Sequence, residues 1–320
     1  MSIMATAQKL ASDGKHREAV EAIEQAASAG DGEALLTLAY WRLFGVHGER
    51  DHSLAHELLG KAATAGNLEA ARTRAYLIGN GTGCPGDPGR ARAILEELAE
   101  DDPVSRRQLA LLREMMAARH VFQLPVEALS KAPSIYIVRG LLNVAECRYL
   151  CALAEPALQP SSIIDPRSGR LIPHPFRTSA GTNFSPTQED LVVQAINRRL
   201  AAATNTEAEF GEPLHMLRYS PGQEYRPHVD ALTGVLNQRE WTVLVYLNAG
   251  YLGGETHFPA LDLKVRGDEG DALVFGNLLP DGRTDERTRH AGLPVTSGVK
   301  WLATRWIRCR PYSPWEPEGA

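Results

Sequence analysis

Along the first hundred residues, small apolar positions recur at helical spacing, and the block they form then recurs as a whole. Ala29-Gly30-Asp31-Gly32-Glu33-Ala34 falls onto Ala65-Gly66-Asn67-Leu68-Glu69-Ala70 at an offset of 36 residues, and Ala19, Ala26 and Ala27 fall onto Ala55, Ala62 and Ala63. A period of that length marks a stacked repeat. Alanines on one face let paired helices approach closely, and Gly30 and Gly66 are placed to end one helix pair before the next begins. A partial further copy follows in Asp87-Pro88 with Ala91, Ala93, Leu95 and Leu98, behind a loop containing Gly79, Gly81, Gly83 and Pro85-Gly86. After Asp101-Asp102-Pro103, the run Leu109, Leu111, Leu112, Met115 and Met116 predicts one more helix that closes the array.

Near Ser134 the pattern changes. Short β-branched and aromatic runs, SIYIVRG, WTVLVYLN, DALVFGN and WLATRWIRC, are punctuated by Gly, Pro and Asn. Many short strands separated by turn signals predict a barrel or jelly roll, flanked by helices over residues 143–153 and 188–203. The expected organisation is two-domain α + β: a helical repeat array over 1–101, a helical linker over 102–133, a β-rich domain over 134–312 and a loose tail over 313–320. A chain of 320 residues has room for two cores of ordinary size.

Composition then narrows the classes. With 43% hydrophobic and 23% charged residues the chain reads as soluble and globular. No apolar run approaches the roughly 18 residues of a membrane span, and the first residues lack the apolar core of a secretory signal, so a cytoplasmic address is expected. Cys84, Cys147, Cys151 and Cys309 read as reduced thiols; Cys147 and Cys151 share a helix face, but two thiols without neighbouring histidines rarely form a site. A formal charge of -5 and a pI near 6.1 argue against a protein that tracks nucleic-acid phosphates.

The chemistry concentrates in RYSPGQEYRPHVD, residues 218–230. His228 and Asp230 are two apart, so on a strand both side chains point to one face and can grip one ion. His290 lies sixty residues beyond Asp230, in RHAGLPV. Two histidines and one carboxylate make a facial triad that leaves positions on Fe(II) open for a bidentate co-substrate and dioxygen. Lys300, ten residues after His290 at the start of the apolar strand WLATRWI, is placed to neutralise the far carboxylate of 2-oxoglutarate.

Around these residues, further pieces occur in a fixed order: Arg177-Thr178-Ser179, Glu212, RYSPGQEYRPHVD, Arg239 ahead of TVLVYLN, GGETHFP, GDALVF, His290-Ala291-Gly292, and Lys300-Trp301 before Thr304 and Trp306. Residues 134–310 thereby resemble the catalytic domain of prolyl 4-hydroxylases, in the 2-oxoglutarate oxygenase superfamily. The resemblance implies a double-stranded β-helix, with His228, Asp230 and His290 as iron ligands and Lys300 and Tyr219 holding 2-oxoglutarate. It also implies that Tyr225, Arg177, Ser179, Glu212, Arg239 and Trp306 lie around a substrate groove. Thr256 in GGETHFP is expected to add a hydrogen bond near the co-substrate, while Gly253 and Gly254 serve a hairpin turn. His257 is set aside as a ligand, because a centre of this class already has its three. His215 departs from the family pattern, which often has glutamine there. Residues 10–101 in turn resemble Sel1-like repeats, relatives of tetratricopeptide repeats, in their alanines, Ala-Gly-Asn/Asp junctions and Gly-rich loop before Asp-Pro.

The resulting expectation is an Fe(II)- and 2-oxoglutarate-dependent dioxygenase. It consumes O2, with L-ascorbate as reductant, and releases succinate and carbon dioxide as it hydroxylates a prolyl residue in a protein or peptide. The repeats either dock that polypeptide or cover the catalytic domain. The alternatives are the same chemistry on another residue or a small molecule, and a non-catalytic adaptor. Demethylation of nucleic acid is disfavoured, since such enzymes normally use arginine where this chain has Lys300, and membrane association is not expected.

Overall fold

The computed structural model describes residues 3–117, 124–164 and 170–316. They form two compact units, Met1–Glu114 with Pro186–Gln194, and Met115–Ser185 with Ala195–Ala320.

The first unit is helical: α1 (Ile3–Ser12), α2 (His16–Ser28), α3 (Gly32–Phe44), α4 (His52–Thr64), α5 (Leu68–Asn80), α6 (Pro88–Leu98) and α7 (Pro103–Ala117). The 36-residue period has a physical meaning at the helix starts. Asp31 and Asn67 cap α3 and α5 by accepting the amides of Ala34 and Ala70, and Asp51 and Asp87 cap α4 and α6 in the same way. Gly30 and Gly66 stand just past the ends of α2 and α4 at φ 88° and 86°, a left-handed turn that a side chain would strain. Ala34, Ala39 and Ala55 and their counterparts Ala70, Ala75 and Ala91 are all 0% exposed, as close helix packing requires.

Asp102, at the start of α7, is buried and accepts from Arg72 Nη1 at 2.8 Å, from the Ser105 amide at 3.0 Å and from Ser105 Oγ at 2.5 Å. Replacing it leaves a half-buried guanidinium and a helix start unpaired, so Asp102→Ala is expected to destabilise this unit by about 3 kcal/mol. A urea midpoint equal to the parent's would show that the network contributes nothing.

The second unit is built on antiparallel strands. Its elements are β1 (Val126–Lys131), β2 (Ser134–Val138), α8 (Val144–Ala154), β3 (Gln159–Pro160), β4 (Ser162–Ile164), β5 (Leu171–Pro173), β6 (Ala180–Asn183) and α9 (Leu191–Ala203). After these come β7 (His215–Tyr219), β8 (Tyr225–His228), β9 (Arg239–Tyr246), β10 (Leu252–Gly253), β11 (Thr256–Phe258) and β12 (Leu263–Val265). The last are β13 (Ala272–Gly276), β14 (His290–Gly292), β15 (Val295–Ser297) and β16 (Lys300–Arg308). An eight-stranded sheet runs β1-β2-β13-β9-β16-β7-β6-β3, and a four-stranded sheet runs β12-β11-β14-β8. Ile135, Tyr246, Phe275 and Leu302 of the large sheet share one buried core with Phe258 and Val265 of the small one, the arrangement of a jelly roll.

Helices form at both predicted places, α8 with a capping box between Asn143 and Glu146. The stretch 102–133 departs from its expected helical linker. It is helix only over α7, and Val126–Lys131 is strand β1, whose partner is β2. Residues 118–123 of that stretch and 317–320 of the expected tail lie outside the described residues. Among the described residues, no helix is long and apolar enough to cross a membrane.

Candidate active site

Strand pairing brings the two histidines together. His228 ends β8 and lies in register with His290, the first residue of β14. Asp230 falls past the end of β8, so the bend after the strand, and not strand alternation, carries its carboxylate to the same place. His228 Nε2 is 3.6 Å from Asp230 Oδ1, and His290 Nε2 is 3.9 Å from Asp230 Oδ2. Among the described residues this is the one group of three metal-ligating side chains brought together, with ligand atoms all within 4.8 Å.

Each imidazole is fixed through its other nitrogen. His228 Nδ1 is 2.9 Å from the Arg226 carbonyl, and His290 Nδ1 is 3.0 Å from the Thr288 carbonyl. A carbonyl only accepts, so both protons sit on Nδ1 and both Nε2 lone pairs face the carboxylate. Three donor atoms converging with no proton between them repel one another unless a cation stands among them, so the residues fit Fe(II). Thr242 Oγ1 donates to Asp230 Oδ2 at 2.7 Å, and Asn277 Nδ2 donates to Thr242 Oγ1 at 2.9 Å, which fixes the carboxylate from behind. Burial, together with the neighbouring His290, pushes His228 down to about 4, keeping it in the neutral ligand form. Burial alone would raise Asp230, but the two imidazoles and Thr242 hold it below the usual carboxylate range.

Lys300 begins β16, paired with Tyr219 of β7, and is only 2% exposed. Its Nζ donates to the Gly254 carbonyl at 2.6 Å and lies 5.6 Å from the ring centroids of both Tyr219 and Tyr246. Among the described residues, no carboxylate stands within ion-pair distance of it. Burial pulls its pKa down to about 7. A cation kept in such a place is complete only when an anion enters beside it. The narrow cavity that reaches from Lys300 to His228, Asp230 and His290 is lined also by Tyr219 and by Thr304, whose buried hydroxyl has no partner among the described residues. Charge, shape and an open donor fit the dicarboxylate 2-oxoglutarate.

Thr256, expected to hydrogen-bond near the co-substrate, is buried with its hydroxyl 3.2 Å from that of Tyr246, one of the two rings beside Lys300. One expectation for this region is corrected. Gly253 and Gly254 do not form a hairpin turn, because β10 pairs with β15 and β11 with β12 and β14. They are needed for close approach. A Cβ on Gly253 would strike the Pro294 carbonyl, and one on Gly254 would lie 3.1 Å from Lys300 Cδ, both at φ 69°.

A second, wider cleft of about 450 Å³ adjoins the triad, with Arg177, Glu212, His215, Tyr225, Arg239 and Trp306 in its wall. Glu212 accepts both Arg239 Nε at 2.6 Å and Nη2 at 2.7 Å, and lies 2.5 Å from Arg308 Nε. This pairing holds the Arg239 guanidinium 3.9 Å over the Trp306 ring. Tyr225 stacks on His228 with centroids 3.5 Å apart. Ser179, also expected around the groove, is buried, 3.1 Å from Ser161 Oγ and bonded to the Tyr219 hydroxyl.

The profile of the 2OG-Fe(II) oxygenase superfamily matches residues 214–308, the span that holds the triad and Lys300. Prolyl 4-hydroxylase 1 of Arabidopsis thaliana is 36% identical over 201 residues, which are 57% of this chain and 71% of that protein. The chain belongs to the prolyl 4-hydroxylase family. As a member of it, the protein is a 2-oxoglutarate-dependent dioxygenase, and the family implies Fe(II), 2-oxoglutarate and O2. Two solved structures are also similar. The 2OG complex of the viral collagen prolyl hydroxylase of Paramecium Bursaria Chlorella virus-1 is 32% identical, covering 55% of this chain and 96% of that one at a TM-score of 0.45. A Sel1 repeat protein from Oxalobacter formigenes is 22% identical, covering 34% of this chain and 85% of that one at a TM-score of 0.31.

Some residues of this dioxygenase site escaped the sequence reading. Thr242 and Tyr246 share a face of β9, so period-two alternation along WTVLVY was the available signal. His174, Tyr312 and Asn277 come from segments that gave none.

Proposed function

We propose that this dioxygenase hydroxylates prolyl residues of a protein or peptide. The observation that carries the reading is the pairing of the converging His228–Asp230–His290 lone pairs with a buried Lys300 that has no carboxylate beside it among the described residues, next to a cleft walled by aromatic rings and guanidinium groups. Bound iron, 2-oxoglutarate and dioxygen together supply the oxidant that replaces a C–H bond by C–OH and leave succinate and carbon dioxide, with L-ascorbate as the reductant.

In this reading the chain orients and protects. His228, Asp230 and His290 would hold the metal, and Lys300 and the Tyr219 hydroxyl would anchor the co-substrate in the narrow cavity. The leucine side chains there, Leu217, Leu244 and Leu302, exclude water. Trp306 and Tyr225 offer flat apolar faces that suit a pyrrolidine ring, and Arg177 and Arg239 offer donors to main-chain carbonyls on either side of it. We further propose that the helical repeats dock longer polypeptides, and that the protein works in the reducing cytoplasm, in keeping with four free cysteines.

Purified protein with Fe(II), 2-oxoglutarate and ascorbate is expected to form succinate faster when poly-L-proline is added. Mass spectrometry should find one oxygen atom gained on proline. Succinate formation that no proline-containing peptide stimulates would move the substrate to another residue or a small molecule.

A further inference from the structure

One buried titratable group in the substrate cleft has no part in the scheme above. His215 begins β7, is 7% exposed, and stacks on Trp306 with ring centroids 5.7 Å apart. Its Nε2 lies 3.2 Å from Arg177 Nη1, and its Nδ1 lies 2.6 Å from Oδ1 of Asn183, its register partner on β6. Arginine carries only donors, so Nε2 must present a lone pair to Arg177. A neutral ring then carries its proton on Nδ1, and Nδ1 requires an acceptor, which is what Asn183 Oδ1 supplies. The donor order is thus determined along Arg177, His215 and Asn183 without a free choice.

The other side of the guanidinium is held as well. Arg177 Nε donates to Ser161 Oγ at 3.1 Å, and its Cζ lies 5.5 Å from the centroid of Tyr225, which stacks on His228. Arg239, by contrast, is paired with Glu212, a carboxylate it shares with Arg308. Among the described residues, no carboxylate pairs with Arg177, so its charge is available to a substrate acceptor.

We infer that His215 is a positioning residue for the substrate: with Asn183 behind it, it fixes the guanidinium of Arg177 so that the remaining N–H groups meet a main-chain carbonyl of the bound peptide. The inference rests on the peptide reading above. Burial, with Arg177 and Arg239 nearby, pushes His215 down to about 3, so the ring stays an acceptor throughout any working pH. Glutamine can reproduce the order, its carbonyl accepting from Arg177 and its amide donating to Asn183, whereas leucine fills the space and does neither.

The test uses the full chain and poly-L-proline as the probe. His215→Leu should raise the KM for poly-L-proline about tenfold with a smaller change in kcat, His215→Gln should stay within about threefold of the parent, and Arg177→Ala should raise KM at least as much as leucine. Adding His215→Leu to Arg177→Ala should then change KM little further, because the two act as one unit. A parental KM in His215→Leu beside a raised one in Arg177→Ala, or effects that simply add, would overturn the role of His215. A parental KM in Arg177→Ala would instead overturn the substrate contact itself, and a parent enzyme inert on poly-L-proline would count against the peptide reading. The ring can be judged without a substrate: nitrogen NMR of the Zn(II)-loaded protein should find His215 protonated on Nδ1 alone at neutral pH, and a proton on Nε2 would sink the inference.

Discussion

His228→Ala and His290→Ala should each lower succinate formation by more than about a hundredfold, since changes to groups that merely support metal ligands already cost 10- to 100-fold. The geometry makes the loss steep. Each imidazole comes from a different strand, its Nδ1 proton is tied to a carbonyl, and neither His257 nor any other described residue joins the cluster to replace a lost ligand. Mn(II) titration of each variant should give a correspondingly weaker site while its thermal transition stays cooperative. Undiminished turnover by a purified, iron-reconstituted variant would refute the assignment of that histidine as a ligand.

The parts of this site legible in the sequence are those whose chemistry is carried by residue type and spacing along one strand. His228 and Asp230 could be paired from two-residue spacing, although the chain bends before Asp230 and the carboxylate arrives by a turn. Lys300 stood out because it follows His290 by ten residues, at the start of the strand WLATRWI. The helical array announced itself in alanines and caps, which must repeat because each repeat packs only on its neighbours. What stayed hidden depends on side chains meeting across strands. The meeting of the Thr256 hydroxyl with that of Tyr246, and of Ser179 with Ser161, could not be read from spacing along one strand. Asn277, just beyond β13, carries no sign of its hold on Asp230 through Thr242. The extent of the sheet was hidden for a similar reason. VEALSK reads as helix by composition, and only its pairing with β2 makes it a strand.

Lys300→Met should raise the 2-oxoglutarate requirement by about a hundredfold, because methionine fills the same apolar space without the charge, and a buried, charge-assisted contact is worth about 3 kcal/mol. The lysine also dictates how the requirement changes with pH. Burial between Tyr219 and Tyr246 sets its pKa at about 7 before the co-substrate enters, so the charge is present below that pH and lost above it. The entering dianion favours the charged amine, so above the pKa binding must take up a proton. The 2-oxoglutarate Kd should therefore be flat between about pH 6 and 7 and rise toward about pH 8.5, by at most about tenfold per pH unit. In Lys300→Met that rise should vanish, leaving weak binding at every pH, which isothermal titration of the Mn(II)-loaded protein can follow. An unchanged 2-oxoglutarate requirement in the variant would mean that another residue holds the far carboxylate. A pH-independent Kd in the parent would mean that Lys300 keeps its proton unaided, with the Gly254 carbonyl and the two ring faces sufficient to hold the charge in place.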